Sequence, residues 1–411
     1  YAGVFLWVVF YMEIAVGTID RAGVPLSLLA LLVAGLLSYA LFYRVPAMLG
    51  MRTGYPLYVI GSSTFGARGG YLMPGLLMGL LQVGWFSVNI FVSTNFILKG
   101  LGSKSGTGSL PFVIIAAVWA YALVYVGVKG IQYVSRFAMY LSLIPLLMIL
   151  IIFFRTVRGA GQFTPSQPSP YLGFVLLIQV VIGFFATAGA AGADFTMNNR
   201  DERDVRWGGL TGVTLAILVA GGLPLVSVAG AHVLYGVQGF TYDAVISGVG
   251  GFMASAMFFL FAIASIPPAC FTAFIAGNSF STMIPGVSRF GSSMAGATVA
   301  LILAVTGAAG NLAGLFTIIG ASFGPICGAM AADYLLSGRK WAGPREGINI
   351  AGYAAWAVGF VIGILRFLPL PPDIKPYLDP AAVYSFVAGF VIYYVLAKAG
   401  LEPKTVPMPA A

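Results

Sequence analysis

Gln82, Trp85 and Asn89 recur at i, i+3 and i+7 inside the apolar run PGLLMGLLQVGWFSVNIFVSTNFIL. On a helix that spacing puts an amide, an indole and a second amide on one stripe. An aromatic face flanked by hydrogen-bond donors and acceptors suits a flat nitrogen heterocycle, which stacks on the ring and is read at its edge. The competing reading is a packed helix interface whose amides bond across to neighbours. Phe185, in GFFATAGAAGADFT (183–196), offers a second aromatic wall, and Thr187 beside it joins the candidate substrate residues.

Two further places carry polar chemistry within apolar surroundings. Glu13, in FYMEIAVGTID (10–20), falls at membrane depth, where a charge costs roughly 2.5–3.5 kcal/mol and therefore points to function. It can grip substrate, balance a cation or carry a proton; the alternatives are a helix-end position or a neutral carboxyl satisfied by packing. In SIPPACFTAFIAGNSFSTMIPG (265–286), Pro267 and Pro268 remove backbone donors and free carbonyls, while Ser265, Thr272, Asn278 and Ser279 add oxygens. Oxygen ligands suit a hard cation such as Na⁺; a proline kink whose hydroxyls bond back to the helix is the bland alternative.

These residues need long apolar elements to hold them. The chain has 411 residues, 59% hydrophobic and 8% charged, with a mean hydropathy of +0.96. Such a composition excludes a soluble globular protein and indicates a polytopic all-α membrane protein. Apolar runs predict twelve spans near 3–19, 25–43, 70–98, 111–128, 131–154, 170–194, 208–235, 250–280, 292–308, 312–336, 348–366 and 381–398. The chain starts at Tyr1 inside an apolar run, so a leading segment is expected ahead of it, and no cleavable signal pattern is present.

Of the 21 Lys and Arg, 14 fall in loops after even-numbered spans or at the C-terminus and 7 after odd-numbered spans. This bias predicts cytoplasmic termini, in a cell inner (plasma) membrane. The net charge of +9 is scattered singly between apolar runs, which fits loops held at a lipid bilayer surface and not nucleic-acid binding. Cys270 and Cys327 lie in apolar stretches and read as small core residues. His232 is the single histidine, and no P-loop, GxSxG or HExxH occurs, so no enzyme and no cofactor is expected. Spans one and six carry Gly17, and Gly189 with Gly192, five spans apart. Glycine-interrupted helices at matched positions of two halves point to a transporter's central site, although small residues equally serve close packing.

LQVGWF (81–86), FGARGGY (65–71), GMRTG (50–54), ADFTMNNRDERDVRWGGL (193–210) and FGPICGAMAADYLLSGRKW (323–341) are similar, in colinear order, to motifs of one group. The chain resembles the nucleobase–cation symport family of cytosine permeases and hydantoin and allantoin transporters. That resemblance implies a LeuT-type transmembrane domain over 1–411, with inverted five-helix repeats at about 1–155 and 165–340, two extra helices at about 345–400, and alternating access. It implies a ring stacked between Trp85 and Phe185, with Gln82 at its edge. The Thr-Thr-Asn or Ser-Thr-Asn triplet that the family carries in its eighth span, around cation and substrate, is absent. Matching Ile-Ala-x-Asn places the substrate amide at Asn278 and a cation hydroxyl at Thr272; the other register sets Pro267, Pro268 and Ala269 at the triplet, with Ala269 in the Na⁺ site. Glu13 has no counterpart in the cytosine branch. The expected function is import of a planar nitrogenous heterocycle, a nucleobase such as cytosine or a purine or a hydantoin-like ring, coupled to Na⁺ or H⁺. An amino-acid carrier of the same architecture is the alternative.

Overall fold

Backbone surrounded by hydrocarbon must satisfy its N–H and C=O groups within its own segment, so the apolar runs form helices. The structure, a computed structural model, describes residues 7, 11, 15–141, 143–237, 240–371 and 373–407, with the side chains of 15, 16, 130, 131, 133–137 and 139 set aside. In chain order the main helices are α1 (Ala15–Leu37), α2 (Arg44–Thr53), α3 (Leu77–Gly100), α4 (Leu110–Leu141) and α5 (Leu143–Ala160). They continue with α6 (Pro170–Ala190), α7 (Glu202–Gly209), α8 (Ala216–Tyr235), α9 (Gly251–Ala264) and α10 (Ile266–Met283). The last four are α11 (Arg289–Val305), α12 (Leu312–Leu336), α13 (Ile350–Ile364) and α14 (Ala381–Lys398). Outside the helices, an antiparallel bridge joins Arg345 to Thr405.

Among the described residues, 10 helical stretches are long and apolar enough to cross a membrane, and α11 is apolar but shorter. The expected count of twelve therefore stands at ten plus α11. Most of the first expected span, Glu13 included, lies outside the described residues. Gly17–Thr53 runs on through the expected first loop, turned at Gly23, whose φ of 74° falls in the left-handed region that glycine tolerates. Large apolar side chains such as Phe252 and Phe154 stand exposed on helix surfaces, as lipid-facing residues do.

The chain divides into two compact units, one built from Tyr1–Leu28, Met78–Gly173 and Val219–Ala313, the other from Leu29–Leu77, Phe174–Leu218 and Gly314–Ala411. In the first, Val83, Phe86 and Ile90 of α3 share a core with Phe112, Ala120 and Val124 of α4, Ala269 and Ala273 of α10, and Ala297 and Ala300 of α11. Small residues let these backbones approach closely. A Cβ added at Gly127 of α4 would lie 2.6 Å from the Cys270 carbonyl oxygen. Cys270 itself is buried, its thiol donating to the Leu123 carbonyl at 3.3 Å.

The double proline ends one helix and begins another. α9 stops at Ala264, Ser265 turns the chain, and Pro267 and Pro268 sit in the first turn of α10, where a missing N–H costs nothing. The expected eighth span is thus two helices joined at Ser265.

In the second unit, α12 packs on α14 through glycines: a Cβ on Gly324 would meet Ser385 Cβ at 2.8 Å, and one on Gly389 would meet Pro325 Cα at 2.5 Å. Gln179 of α6 accepts the Ala382 N–H at 2.8 Å. Cys327 is buried, with its thiol toward the Phe42 carbonyl. The sixth span is interrupted as the sequence suggests: α6 ends at Ala190, Ala191 turns, and a short helix Gly192–Thr196 follows. Its glycines serve close packing as well, since a Cβ at Gly189 would lie 2.8 Å from Phe42 Cβ and one at Gly192 2.8 Å from the Tyr43 ring.

Candidate substrate and ion site

The stripe on α3 is buried: Gln82 is 7% exposed, Trp85 5% and Asn89 1%. It lies one residue, about 100° of helix rotation, from the Val83–Phe86–Ile90 face that fills the core. Both amides bond to their own helix. Gln82 Nε2 donates to the Met78 thioether at 3.5 Å and Asn89 Nδ2 to the Trp85 carbonyl at 3.0 Å. Neither reaches across to a neighbouring helix among the described residues, which is what the packed-interface reading requires. Thioether sulfur is a weak acceptor, so the Gln82 amide retains most of its bonding capacity. Asn89 Oδ1 is buried without a hydrogen-bond donor among the described residues, and such an orphan costs about 1–3 kcal/mol unless something else pairs with it.

Helix α10 runs antiparallel beside this stripe, pinned at two points. A Cβ on Gly79 would meet Ser279 Cβ at 2.9 Å, and Ser93 donates to the Ser265 hydroxyl at 2.7 Å. One residue up α3 is one residue down α10 between these pins, so Asn278 lies level with Leu80, Thr272 with Phe86 and Ala269 with Asn89. At about 1.5 Å of rise per residue, Asn278 is within about 3 Å in height of Gln82. Asn278 is half-buried, and Thr272 and Ala269 are buried. Thr272 Oγ1 donates to the Ala269 carbonyl at 2.9 Å. The Thr272 oxygen keeps its lone pairs while it donates, so the hydroxyl can still face a cation, whereas the Ala269 carbonyl lies inside α10 and is shared with a helical N–H. The Ser265 hydroxyl likewise donates back to Ala262 O at 2.7 Å.

The first unit thus carries Gln82, Trp85 and Asn89 on α3 and Asn278, Thr272 and Ala269 on α10, two helices held together at Gly79–Ser279 and Ser93–Ser265. Phe185 and Thr187 lie on α6 in the second unit, Phe185 half-buried and Thr187 buried. The neighbouring Phe184 is the one committed to packing, edge-on to Phe316 with ring centroids 5.4 Å apart. His232 serves structure: its Nδ1 pairs with the Val237 carbonyl at 2.9 Å and its ring stacks on Phe240 at 4.1 Å.

The Ala-Asp-Tyr end of the tenth span holds an aspartate whose task the sequence does not reveal. Asp333, 3% exposed, accepts from Ser63 Oγ at 2.6 Å, Thr64 Oγ1 at 2.9 Å and Arg345 Nη1 at 3.0 Å. Arg345 also pairs with Glu402 at 2.9 Å and donates to the Ser63 carbonyl. Asn349 ties the same segment, donating to Thr64 O at 2.9 Å. The signal available was the recurrence of an acidic residue at the end of an apolar span.

A family model for permeases of cytosine and purines, uracil, thiamine and allantoin matches residues 4–389. The chain belongs to that family. It is therefore a multi-pass membrane transporter and not an enzyme. The transporter's fold is shared with Mhp1, described as a nucleobase-cation-symport-1 family transporter. The closed, bromovinylhydantoin-bound Mhp1 structure is 20% identical, with 97% of this chain and 92% of that one covered and a TM-score of 0.67. Inward-facing Mhp1 is 18% identical over 99% and 94% of the two chains, with a TM-score of 0.71. A substrate-bound, outward-open Na⁺-coupled sialic acid symporter is 13% identical over 98% and 90%, with a TM-score of 0.56. No curated protein is a significant match by sequence.

Proposed function

We propose that this permease is a secondary active importer of a planar nitrogenous heterocycle, a nucleobase or a hydantoin-like ring, working by cation symport with alternating access. The observation that carries the reading is the buried Gln82–Trp85–Asn89 stripe, with its weakly engaged Gln82 amide and orphan Asn89 oxygen, in a chain of the cytosine and purine permease family. Trp85 supplies a stacking face, Phe185 the opposing one, Gln82 and Asn278 the edge contacts, and Thr187 and Asn89 flanking polar groups. Glu13 bonds a ring N–H or carries a proton.

Na⁺ is the proposed coupling ion, with Thr272 Oγ1 and the Ala269 carbonyl among its ligands; their 2.9 Å separation is compatible with two oxygens of one coordination shell. Repeats at about 1–155 and 165–340 give the two halves that alternate, and the Lys and Arg bias supports cytoplasmic termini in the plasma membrane. The test is uptake into proteoliposomes of labelled cytosine, purines, uracil, hydantoins and amino acids, with and without an inward Na⁺ gradient. Accumulation of one planar ring driven by Na⁺ is expected. Accumulation of amino acids alone would overturn the heterocycle assignment, and unchanged uptake without sodium would overturn the ion.

A further inference from the structure

A cavity of about 340 Å³ in the second unit is lined by Arg44, Arg52, Arg206 and Arg339, with Glu202 the one acidic group on its wall. Four guanidinium groups against one carboxylate leave three positive charges around a space large enough for a small anion. Glu202 is already engaged, pairing with Arg52 and, at 3.7 Å, with Arg206. Arg52 is further fixed by donation to the Arg339 carbonyl and by lying 6.0 Å from the centroid of the Tyr334 ring. Among the described residues, no carboxylate lies within ion-pair distance of Arg44 or Arg339. All four arginines are exposed, so an anion can reach this positive lining from solvent, and guanidinium is the side chain whose planar fork matches phosphate oxygens two at a time.

We propose that this arginine-lined cavity is a binding site for a phosphate-bearing anion, separate from the substrate and ion residues on α3 and α10. Its shared chemistry is a tetrahedral phosphate, held by Arg44 and Arg339 while Glu202 keeps Arg52 and Arg206 in place. Met48 and Leu335 give the wall an apolar side, so the phosphate of an anionic lipid headgroup, with an acyl chain along that side, fits as well as free inorganic phosphate.

The experiment uses the whole purified permease and reads lipid retention by native mass spectrometry during delipidation, with phosphatidylglycerol and phosphatidylcholine as probes. In parallel, the thermal midpoint is followed on titration with inorganic phosphate. The test variant is Arg44→Gln with Arg339→Gln, supported by each single change. The charge-matched control is Arg200→Gln with Arg203→Gln, two exposed positions outside the cavity. Phosphatidylglycerol retained by wild type and control, and held at least tenfold more weakly by the test variant, supports the site with a lipid as its source. Stabilisation by phosphate with the same arginine dependence supports the site with free phosphate as its source. Binding that falls equally in test and control variants, or wild type that neither prefers the anionic lipid nor responds to phosphate, overturns it. Should the double variant not fold, the single variants and the loss of retention at high salt carry the same decision.

Discussion

Trp85 and Gln82 differ in what they owe to the fold. A buried indole contributes to packing as well as to any ligand, whereas Gln82 spends its donor on the Met78 thioether at 3.5 Å, a bond worth little to stability. Gln82→Leu should therefore shift the thermal midpoint hardly at all while weakening ring binding by roughly tenfold, the value of about one edge hydrogen bond and its unpaired partner. Calorimetric titration of the preferred ring against wild type and Gln82→Leu checks this, and a variant that binds normally would remove Gln82 from the site. The stripe was legible because a period of 3.6 collects side chains on one face whatever the tertiary structure does. The orphan state of Asn89 Oδ1 was not, since it depends on which groups neighbouring helices fail to present.

At the scale of elements, close approach is what glycine and alanine supply where the hydrophobic effect between helices is weak. Gly127 is the sharpest case, because the carbonyl a new Cβ would meet at 2.6 Å belongs to Cys270 on α10, the helix that carries Thr272 and Asn278. Gly127→Ala should cost about 1–3 kcal/mol as an overpacking change, read as a lower inactivation temperature, and should weaken sodium dependence through the displaced α10. A fully stable Gly127→Ala would show that α4 and α10 can separate freely. Element identity was readable in the apolar runs, but their ends were not. The turn at Ser265 follows from two prolines seeking a first turn, where one kinked span was expected, and the run from Gly17 to Thr53 continues through Gly23 because a single left-handed residue bends the chain without needing a loop.

Across the whole molecule, the polar groups that tie distant segments together gather at a few buried points. Asp333 is one: it joins α12 to residues 63–64 and to Arg345, which also holds Glu402 near the described end of the chain. Removing one partner of a buried pair leaves the other uncompensated, typically at 3–5 kcal/mol. Asp333→Ala should fall near the lower figure, because Glu402 still faces Arg345, and heat-inactivation half-lives of the purified protein report it. Long-range pairing of this kind left only an acidic residue at a span end as its trace in the sequence, while the arginine cavity left none, its four arginines lying up to 295 positions apart. Heterocycle recognition depends above all on a flat ring lying against Trp85, so the decisive measurement is equilibrium binding of the preferred heterocycle to wild type, Trp85→Phe and Trp85→Ala. Stacking worth about 1–3 kcal/mol predicts affinity largely kept by the phenylalanine and reduced roughly five- to 150-fold by the alanine, in protein that remains folded. Equal affinity in wild type and a folded Trp85→Ala would contradict it.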